Sequence, residues 1–187
     1  MKSNRLVTAR LELIAATVTH LDAELESPAR LAALLDVAVE PGWPPGEYDR
    51  GAQEFFRQRL AEGGAAVAGW FTWYAVRRRR ADEPPVLVGA GGYCGPPSEA
   101  GEVEIGFSVM PGWQGWGYAT EIAGALAAHA FSEAGVRKVV AHTAPDNAAS
   151  GRVLEKAGFD RVGSDDGQHR FELRRPLTGC GAPQAEG

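Results

Sequence analysis

The chain has 187 residues, of which 44% are apolar and 23% are charged, and its formal net charge is −5. This length predicts one compact domain, and the composition is ordinary for a globular protein. The acidic balance argues against a nucleic-acid partner, because neutralising phosphates requires a basic surface. No apolar run approaches the roughly 20 residues that cross a bilayer, so we expect no membrane partner.

Cysteine usage and the N-terminal residues indicate a reduced, cytoplasmic protein. Cys94 and Cys180 lie far apart in the chain. They predict neither a disulfide framework nor a zinc site, and we expect no metal. Arg10 and Glu12 interrupt any apolar stretch near the N-terminus that could act as a signal peptide.

The first half of the chain predicts a strand, three helices and a hairpin. Thr17 is a suitable N-cap, and Ser27 followed by Pro28 combines a cap with proline at the first helical position. Gly63 and Gly64 end the third helix. The elements are a strand at 11–15, helices at 17–25 and 28–35, a proline-rich loop at 41–46, a helix at 48–61, and strands at 70–79 and 86–94 joined by a turn at 82–85.

The second half of the chain alternates strands with helices. The elements are a strand at 102–110, a helix at 117–134, a strand at 138–143, a helix at 146–157 closed by Gly158, and a hairpin of 160–164 and 170–174. This order predicts a mixed α/β sheet that is antiparallel at first and crosses over later. We assign residues 1–177 to the single domain and residues 178–187, rich in Gly, Ala and Pro, to a flexible tail.

A glycine-rich turn between strand 102–110 and the following helix carries the clearest functional signal. Gly115, Gly117 and Ala119 are small, so the backbone can approach a ligand and its N–H groups stay uncovered. Together with the positive end of the helix dipole, these donors suit a pyrophosphate. The alternative is that the glycines only make a tight turn.

Two other phosphate-binding loops do not fit the sequence. A P-loop requires Lys followed by Ser or Thr, and no such pair follows these glycines. The segment 86–95 approaches a dinucleotide-binding fingerprint, which would indicate an oxidoreductase. Cys94 occupies its sixth position, however, and Pro96 and Pro97 stand where a helix would begin.

The pattern Gln114-x-x-Gly117-x-Ala119 resembles the acetyl-CoA signature of the GNAT superfamily. Flanking segments match in the same order: 104–109 before it, and His142-Thr143 and 147–159 after it. The match is most similar to the branch of ribosomal-protein N-terminal acetyltransferases and covers about a third of the chain. The sequence departs from the family at Gly115 and Trp116, where basic residues are frequent.

The resemblance implies a GNAT acyl-CoA N-acyltransferase fold in which strands 102–110 and 138–143 splay apart. The pantetheine arm of acetyl-CoA, as cosubstrate, would then pair with β-strand backbone near 108–110. It implies an amine acceptor, and exposed strands in such folds often pair as homodimers. The cosubstrate-binding residues are expected to be Ser108, Val109, Met110, Gln114, Gly115, Trp116, Gly117, Tyr118, Ala119, Thr120, Asn147 and Ser150.

Two residues are candidates for catalysis. Glu104 shares the polar face of its strand with Glu102, Gly106 and Ser108, and we predict that it removes the proton of the amine, directly or through water. The alternative is an ordinary charged strand residue. The helix at 146–157 lacks the tyrosine that many relatives use. The branch that the sequence resembles has serine instead, and the resemblance therefore implies that Ser150 donates a hydrogen bond to the leaving sulfur. Alternatively, Asn147 or Asp146 caps the helix and Ser150 faces solvent.

Several features remain open. A backbone amide near Val109 is expected to bind the oxyanion. The resemblance implies that Trp43, in the loop before the long helix, could line the acceptor site, and His142 could contact substrate. Arg77 to Arg80 predict a solvated hairpin end. The sequence predicts an N-acetyltransferase acting on a protein N-terminus or a small-molecule amine, and the alternative is a non-catalytic acyl-CoA-binding module on the same fold.

Overall fold

The computed structural model describes residues 4–79 and 83–176. These residues form nine strands and five α-helices around one sheet. The strands are β1 (Arg5–Val7), β2 (Leu11–Ala15), β3 (Ala38–Val39), β4 (Thr72–Arg77), β5 (Val86–Tyr93), β6 (Glu102–Val109), β7 (Lys138–Thr143), β8 (Asp160–Asp165) and β9 (Gln168–Arg174). The helices are α1 (Val18–Glu26), α2 (Pro28–Leu35), α3 (Arg50–Gly63), α4 (Tyr118–Ser132) and α5 (Ala148–Lys156).

The sheet runs in the order β1-β2-β4-β5-β6-β7-β9-β8, with the short β3 also pairing with β5. Neighbours from β1 to β6 along this order are antiparallel, and β7, β9 and β8 form a second antiparallel group. The two groups meet at β6 and β7, which are parallel because α4 crosses over between them. The predicted mixed α/β sheet is therefore confirmed.

Side-chain caps begin the first three helices, at or close to the predicted positions. The hydroxyl of Thr17 accepts a hydrogen bond from the amide of His20, and that of Ser27 accepts one from Arg30. The third helix begins slightly later than predicted, because Asp49 is its N-cap. Each such cap typically stabilises a protein by about 1 kcal/mol.

Apolar side chains cover both faces of the sheet. On one face, α4 buries Ile122 and Leu126 completely against Val103 and Ile105 of β6. On the other face, a second cluster that includes Leu21 packs with α1, α2 and α3. The alternation predicted for strand 102–110 is thus confirmed, and it leaves Glu102, Glu104, Gly106 and Ser108 on the face that carries the second cluster.

The structure differs from the predictions in a few places. The strands β1 and β3 have only three and two residues, which is too short for an alternating pattern. Arg77 is not solvated: its side chain is 5% exposed, lies over the Trp113 ring and pairs with Glu83 at 2.7 Å. Arg80, Asp82 of the predicted turn and the predicted tail at 178–187 lie outside the described residues, so the single domain over 1–177 stays a prediction. Within the described ranges, no helix is both long and apolar enough to cross a bilayer.

Candidate active site

Strands β6 and β7 pair only at their beginnings and then separate. Their parallel register ends with Glu104 opposite Val140, although the strands continue to Val109 and Thr143. The splayed strands expected from the resemblance are therefore present. We call the opening beside the C-terminal half of β6 the gap.

Alternate backbone amides of β6 point into the gap. Met110 donates its N–H to the carbonyl of Val88, on the β5 side. Neighbouring residues of a strand direct their peptide groups to opposite edges, so the amides of Phe107 and Val109 point the other way, into the gap. Of the three residues predicted to pair with the pantetheine arm, Val109 presents its amide to the gap, whereas the amides of Ser108 and Met110 face β5.

The turn between β6 and α4 is left-handed at two glycines. Gly115 has a φ of 79° and Gly117 a φ of 80°, which L side chains rarely adopt. The amide of Glu121 donates to the carbonyl of Gly117 at the start of α4. The amides of residues 118–120 therefore have no acceptor within the helix. Those amides and the positive end of the helix dipole are suited to an anion.

The side chains of this turn mainly support its conformation. Gln114 donates from Nε2 to the carbonyl of Val109 at 3.0 Å, which ties the turn to the end of β6. Tyr118 is buried beside Trp113, with 6.2 Å between ring centroids. Trp116 is 61% exposed. The groups of the turn that are arranged for a ligand are therefore its backbone amides.

Arg10 and Glu121, which carry no sequence motif, hold this turn from the β2 side. The guanidinium of Arg10 donates to Oε2 of Glu121 at 2.7 Å and to the carbonyl of Trp116 at 2.7 Å. The carboxylate also accepts the backbone amides of Arg10 and Leu11. Burial acts to raise the pKa of Glu121, but the hydrogen bonds from Thr8 and Arg10 outweigh it and hold the pKa below its ordinary value.

Glu104 lies where the gap begins and is hydrogen-bonded to His142. Its Oε1 is 2.8 Å from Nδ1 of the imidazole. The side chain of Glu104 is 40% exposed and that of His142 is 16% exposed. Glu102, two residues earlier on the same face, is instead paired with Lys138 and Arg170 at 2.8 and 2.9 Å. The two carboxylates therefore differ: Glu102 belongs to an ion-pair network, whereas Glu104 has a histidine partner and remains accessible.

A cavity of about 270 Å³ lies on the same face of the sheet as Glu104. Loop 41–47 closes over it, because a Cβ placed on Gly46 would lie 3.2 Å from the hydroxyl of Ser108. The cavity has a floor from β4, β5 and β6 and a wall from α3 and the residues just before it. The lining residues are Glu47, Tyr48, Ala52, Phe56, Thr72, Ala90, Gly91, Gly92, Tyr93, Cys94, Gly106, Phe107 and Ser108.

A buried carboxylate holds the loop in this position. Glu24 of α1 accepts hydrogen bonds from Nε1 of Trp43 at 2.7 Å and from the hydroxyls of Tyr48 and Tyr74 at 2.8 and 2.7 Å. Burial raises the pKa of Glu24 above its ordinary value, and these hydrogen bonds only partly offset the effect. Trp43 is therefore a buried support of the loop and does not line the cavity.

Cys94 is an exposed residue that lines the cavity. Loss of water around the sulfur, and then the nearby carboxylate of Glu104, raise the pKa of the thiol to about 11. At neutral pH the group is thus a thiol rather than a thiolate, and it is a weak nucleophile.

At the start of α5, Asn147 is the N-cap. Its Oδ1 accepts the amide of Ser150 at 3.1 Å. Asn147 therefore has the helix-capping role that the sequence offered as an alternative to a contact with the cosubstrate. The Ser150 side chain is half-buried, and its proposed contact with the leaving sulfur stays a prediction.

A sheet that divides between two parallel strands, with a glycine-rich turn and a helix N-terminus after the first, is the architecture expected of an acyl-CoA-dependent acyltransferase. Comparison with known proteins agrees with this class. Residues 10–160 match the family model described as an acetyltransferase (GNAT) domain. An uncharacterised N-acetyltransferase of Bacillus subtilis, YjdG, is 30% identical over 154 residues, covering 82% of this chain and 88% of that protein.

Solved structures show the same fold. A protein assigned as a ribosomal-protein-serine acetyltransferase of Vibrio cholerae has a TM-score of 0.61 and 16% identity, covering 94% of this chain and 99% of that one. RimL, a ribosomal L7/L12 α-N-protein acetyltransferase solved with coenzyme A, has a TM-score of 0.60 and 20% identity, covering 90% and 96%. The chain belongs to the GNAT acetyltransferase family and is an acetyl-CoA-dependent N-acetyltransferase.

Proposed function

We propose that this enzyme transfers the acetyl group to a primary amine, on a protein N-terminus or a small molecule, by direct attack on the thioester. The observation that carries the proposal is the position of Glu104. Its accessible carboxylate lies at the start of the gap and on the face that contains the cavity. A base in this position can reach an amine that enters through the cavity while the thioester occupies the gap.

The described residues fit acetyl-CoA at several points. The amides of 118–120 suit the pyrophosphate, with Gly115 and Gly117 leaving them uncovered. The gap-facing amides of Phe107 and Val109 suit the pantetheine arm, as in strand addition. The hydroxyl of Thr143, at the end of β7, is buried and has no hydrogen-bond partner in the part of the chain that the structure describes. A bound arm would supply one.

Acetyl-CoA supplies a thioester carbonyl with a thiolate leaving group. An alkylamine with a pKa near ~10 is mostly protonated at neutral pH, so Glu104 accepts its proton, directly or through water. A gap-facing backbone amide near Val109 donates to the carbonyl oxygen as negative charge develops on it. The hydroxyl of Ser150 donates a hydrogen bond to the departing sulfur as the carbon–sulfur bond breaks.

The test has two measurements on protein freed of copurified acetyl-CoA. Thermal unfolding is followed with and without acetyl-CoA, which at a hundred times its Kd should stabilise the fold by about 2.7 kcal/mol. Release of free thiol from acetyl-CoA is then followed across a panel of amines that includes N-terminal peptides. Amine-dependent release is the expected result. Stabilisation without release for any amine would identify a non-catalytic acyl-CoA-binding module, and no stabilisation would contradict both functions.

A further inference from the structure

The cavity beside Glu104 combines an apolar interior with an acidic rim. Tyr48, Ala52 and Phe56 form its wall. The hydroxyl of Tyr48 is not available to a bound substrate, because it donates its hydrogen bond to Glu24 at 2.8 Å. Among the described lining residues, Glu47 alone carries a formal charge at neutral pH, and it is exposed. An acceptor therefore meets a carboxylate first and apolar surface deeper inside.

Glycines in the floor leave open space in the cavity, which is small. A Cβ on Gly92 would collide with the carbonyl oxygen of Phe71, so this position excludes any side chain. A Cβ on Gly106 would meet nothing within 4 Å, so open space lies beside the backbone of β6. The volume of about 270 Å³ is close to the lower limit of the roughly 300–1,000 Å³ that is typical of sites for drug-sized ligands. The cavity thus suits one compact group.

We infer that the acceptor is a primary amine with a single positive charge whose neighbouring substituent is compact and apolar. This inference rests on the proposed acetyl transfer. A second ammonium in the interior would lose much of its hydration without meeting a carboxylate, because Glu47, the charged residue among the described lining residues, is exposed, and burying an unpaired charge is costly. A carboxylate beside the amine would be repelled by Glu47 and Glu104. An aromatic or branched aliphatic substituent would instead bury apolar area against Phe56 and Ala52.

Two kinds of acceptor have these properties: a small arylalkylamine and a peptide whose first residue is apolar. Matched pairs of acceptors test it through kcat/KM. Butylamine is compared with 1,4-diaminobutane, 2-phenylethylamine with L-phenylalanine, and L-phenylalanine amide with L-serine amide. The first compound of each pair should have a kcat/KM that is higher by roughly tenfold or more, because an apolar pocket discriminates between substrates by about this factor. A tripeptide amide that begins with phenylalanine separates the two kinds of acceptor: a rate similar to that of L-phenylalanine amide assigns peptides as acceptors, and a much lower rate assigns small amines.

Two variants connect the preference to this cavity. Ala52→Phe fills it from α3, and Ala61→Phe is the matched control, because Ala61 is exposed on the same helix. Ala52→Phe should lower kcat/KM for 2-phenylethylamine by about tenfold or more, with a smaller effect on ethylamine and unchanged acetyl-CoA affinity. Glu47→Gln, at an exposed position, should reduce the difference in kcat/KM between 2-phenylethylamine and L-phenylalanine, because it removes a charge that repels the carboxylate of the amino acid. Glu54→Gln, on the exposed surface of α3, is its control.

The outcomes separate this inference from the proposed function. Transfer to the diamine, the free amino acid or the serine amide at rates equal to or above their apolar partners would overturn the inference and leave acetyl transfer standing. Equal effects of Ala52→Phe and Ala61→Phe, together with an unchanged preference in Glu47→Gln, would also overturn it. Binding of acetyl-CoA with no thiol release for any amine would overturn the proposed function, and the inference with it.

Discussion

His142 and Glu104 lie on adjacent parallel strands and meet where those strands begin to separate, with 2.8 Å between Nδ1 and Oε1. Val140, two residues before the histidine, belongs to the last paired position of β6 and β7. The imidazole therefore reaches across the start of the gap and fixes the carboxylate. Within the described residues no hydrogen bond engages Oε2 of Glu104, so this oxygen is available to an amine or to water.

Replacing the carboxylate by an amide of the same shape tests its role. Glu104→Gln should lower turnover by about 10²–10⁴, because the amide cannot accept the proton of the amine. Acetyl-CoA affinity should be unchanged, and the deficit should shrink in alkaline buffer, where more of the amine is already neutral. The measurement is kcat from neutral to alkaline pH with one good amine. Glu102→Gln, on the same face of the same strand, is the control, and wild-type turnover in Glu104→Gln at neutral pH would remove Glu104 from the mechanism.

Loss of the Arg10 guanidinium should weaken acetyl-CoA binding. Its hydrogen bond to the carbonyl of Trp116 supports the turn whose amides we propose as the pyrophosphate site. Arg10→Ala should raise the Kd for acetyl-CoA about tenfold, equivalent to about 1.4 kcal/mol, and should also lower the melting temperature by several degrees. The control is Arg5→Ala in the same hairpin, where the pair with Glu12 is 62% and 27% exposed. A lower melting temperature with unchanged affinity would show that Arg10 stabilises the fold without shaping the site.

The carboxylate of Glu121 should make stability depend on acid pH. Its native pKa lies below the ordinary value of 4.5, so the stabilisation is complete above that value and is lost as the pH falls through the native pKa. Melting temperatures of wild type and Glu121→Gln, measured from pH 7 to pH 3, should therefore differ most at neutral pH and converge in acid. Glu54→Gln, which removes an exposed pair, should differ little from wild type throughout. If the melting temperatures of wild type and Glu121→Gln differed by the same amount at every pH, ionisation of Glu121 would not contribute to the pH dependence of stability.

Local patterns were sufficient to predict most of the elements that frame the site. Strand β6 alternates apolar and polar residues over its whole length, and α2 begins at Ser27 and Pro28. In both cases the residues that determine the element lie within a few positions of one another. The glycines at 115 and 117 indicated the turn for the same reason, since only its backbone conformation requires them. These features are properties of short segments, which a sequence displays directly.

The contacts that orient the site are not local and were missed. Arg10 and Glu121 are 111 residues apart, and neither lies in a recognisable motif. Arg77 looked like part of a solvated basic run, but Trp113 covers it after folding. Gln114 illustrates the intermediate case: the signature identified the residue, but only the fold shows that its side chain binds the carbonyl of Val109. Such contacts depend on which elements pack together, and no window of sequence contains that information.

The role of Ser150 can be separated from that of the helix cap. The capping bond uses the backbone amide of Ser150 and the side chain of Asn147, so Ser150→Ala preserves it, and alanine favours the helix. A thiol with a pKa near ~8.5 needs only modest help to leave. One hydrogen bond contributes roughly 0.5–1.5 kcal/mol, and up to 3 when its acceptor is charged. Turnover of Ser150→Ala should therefore fall about tenfold to a hundredfold, with unchanged melting temperature and acetyl-CoA affinity.

Asn147→Ala provides the matched comparison, because it removes the cap and leaves the hydroxyl. We expect it to lower the melting temperature, since loss of such a cap costs about 1 kcal/mol. If Ser150→Ala retains wild-type turnover, Ser150 is an ordinary helix residue and the sulfur leaves without its help. A loss beyond ten-thousandfold at full stability would be too large for one hydrogen bond, and it would indicate that Ser150 transfers a proton to the leaving group.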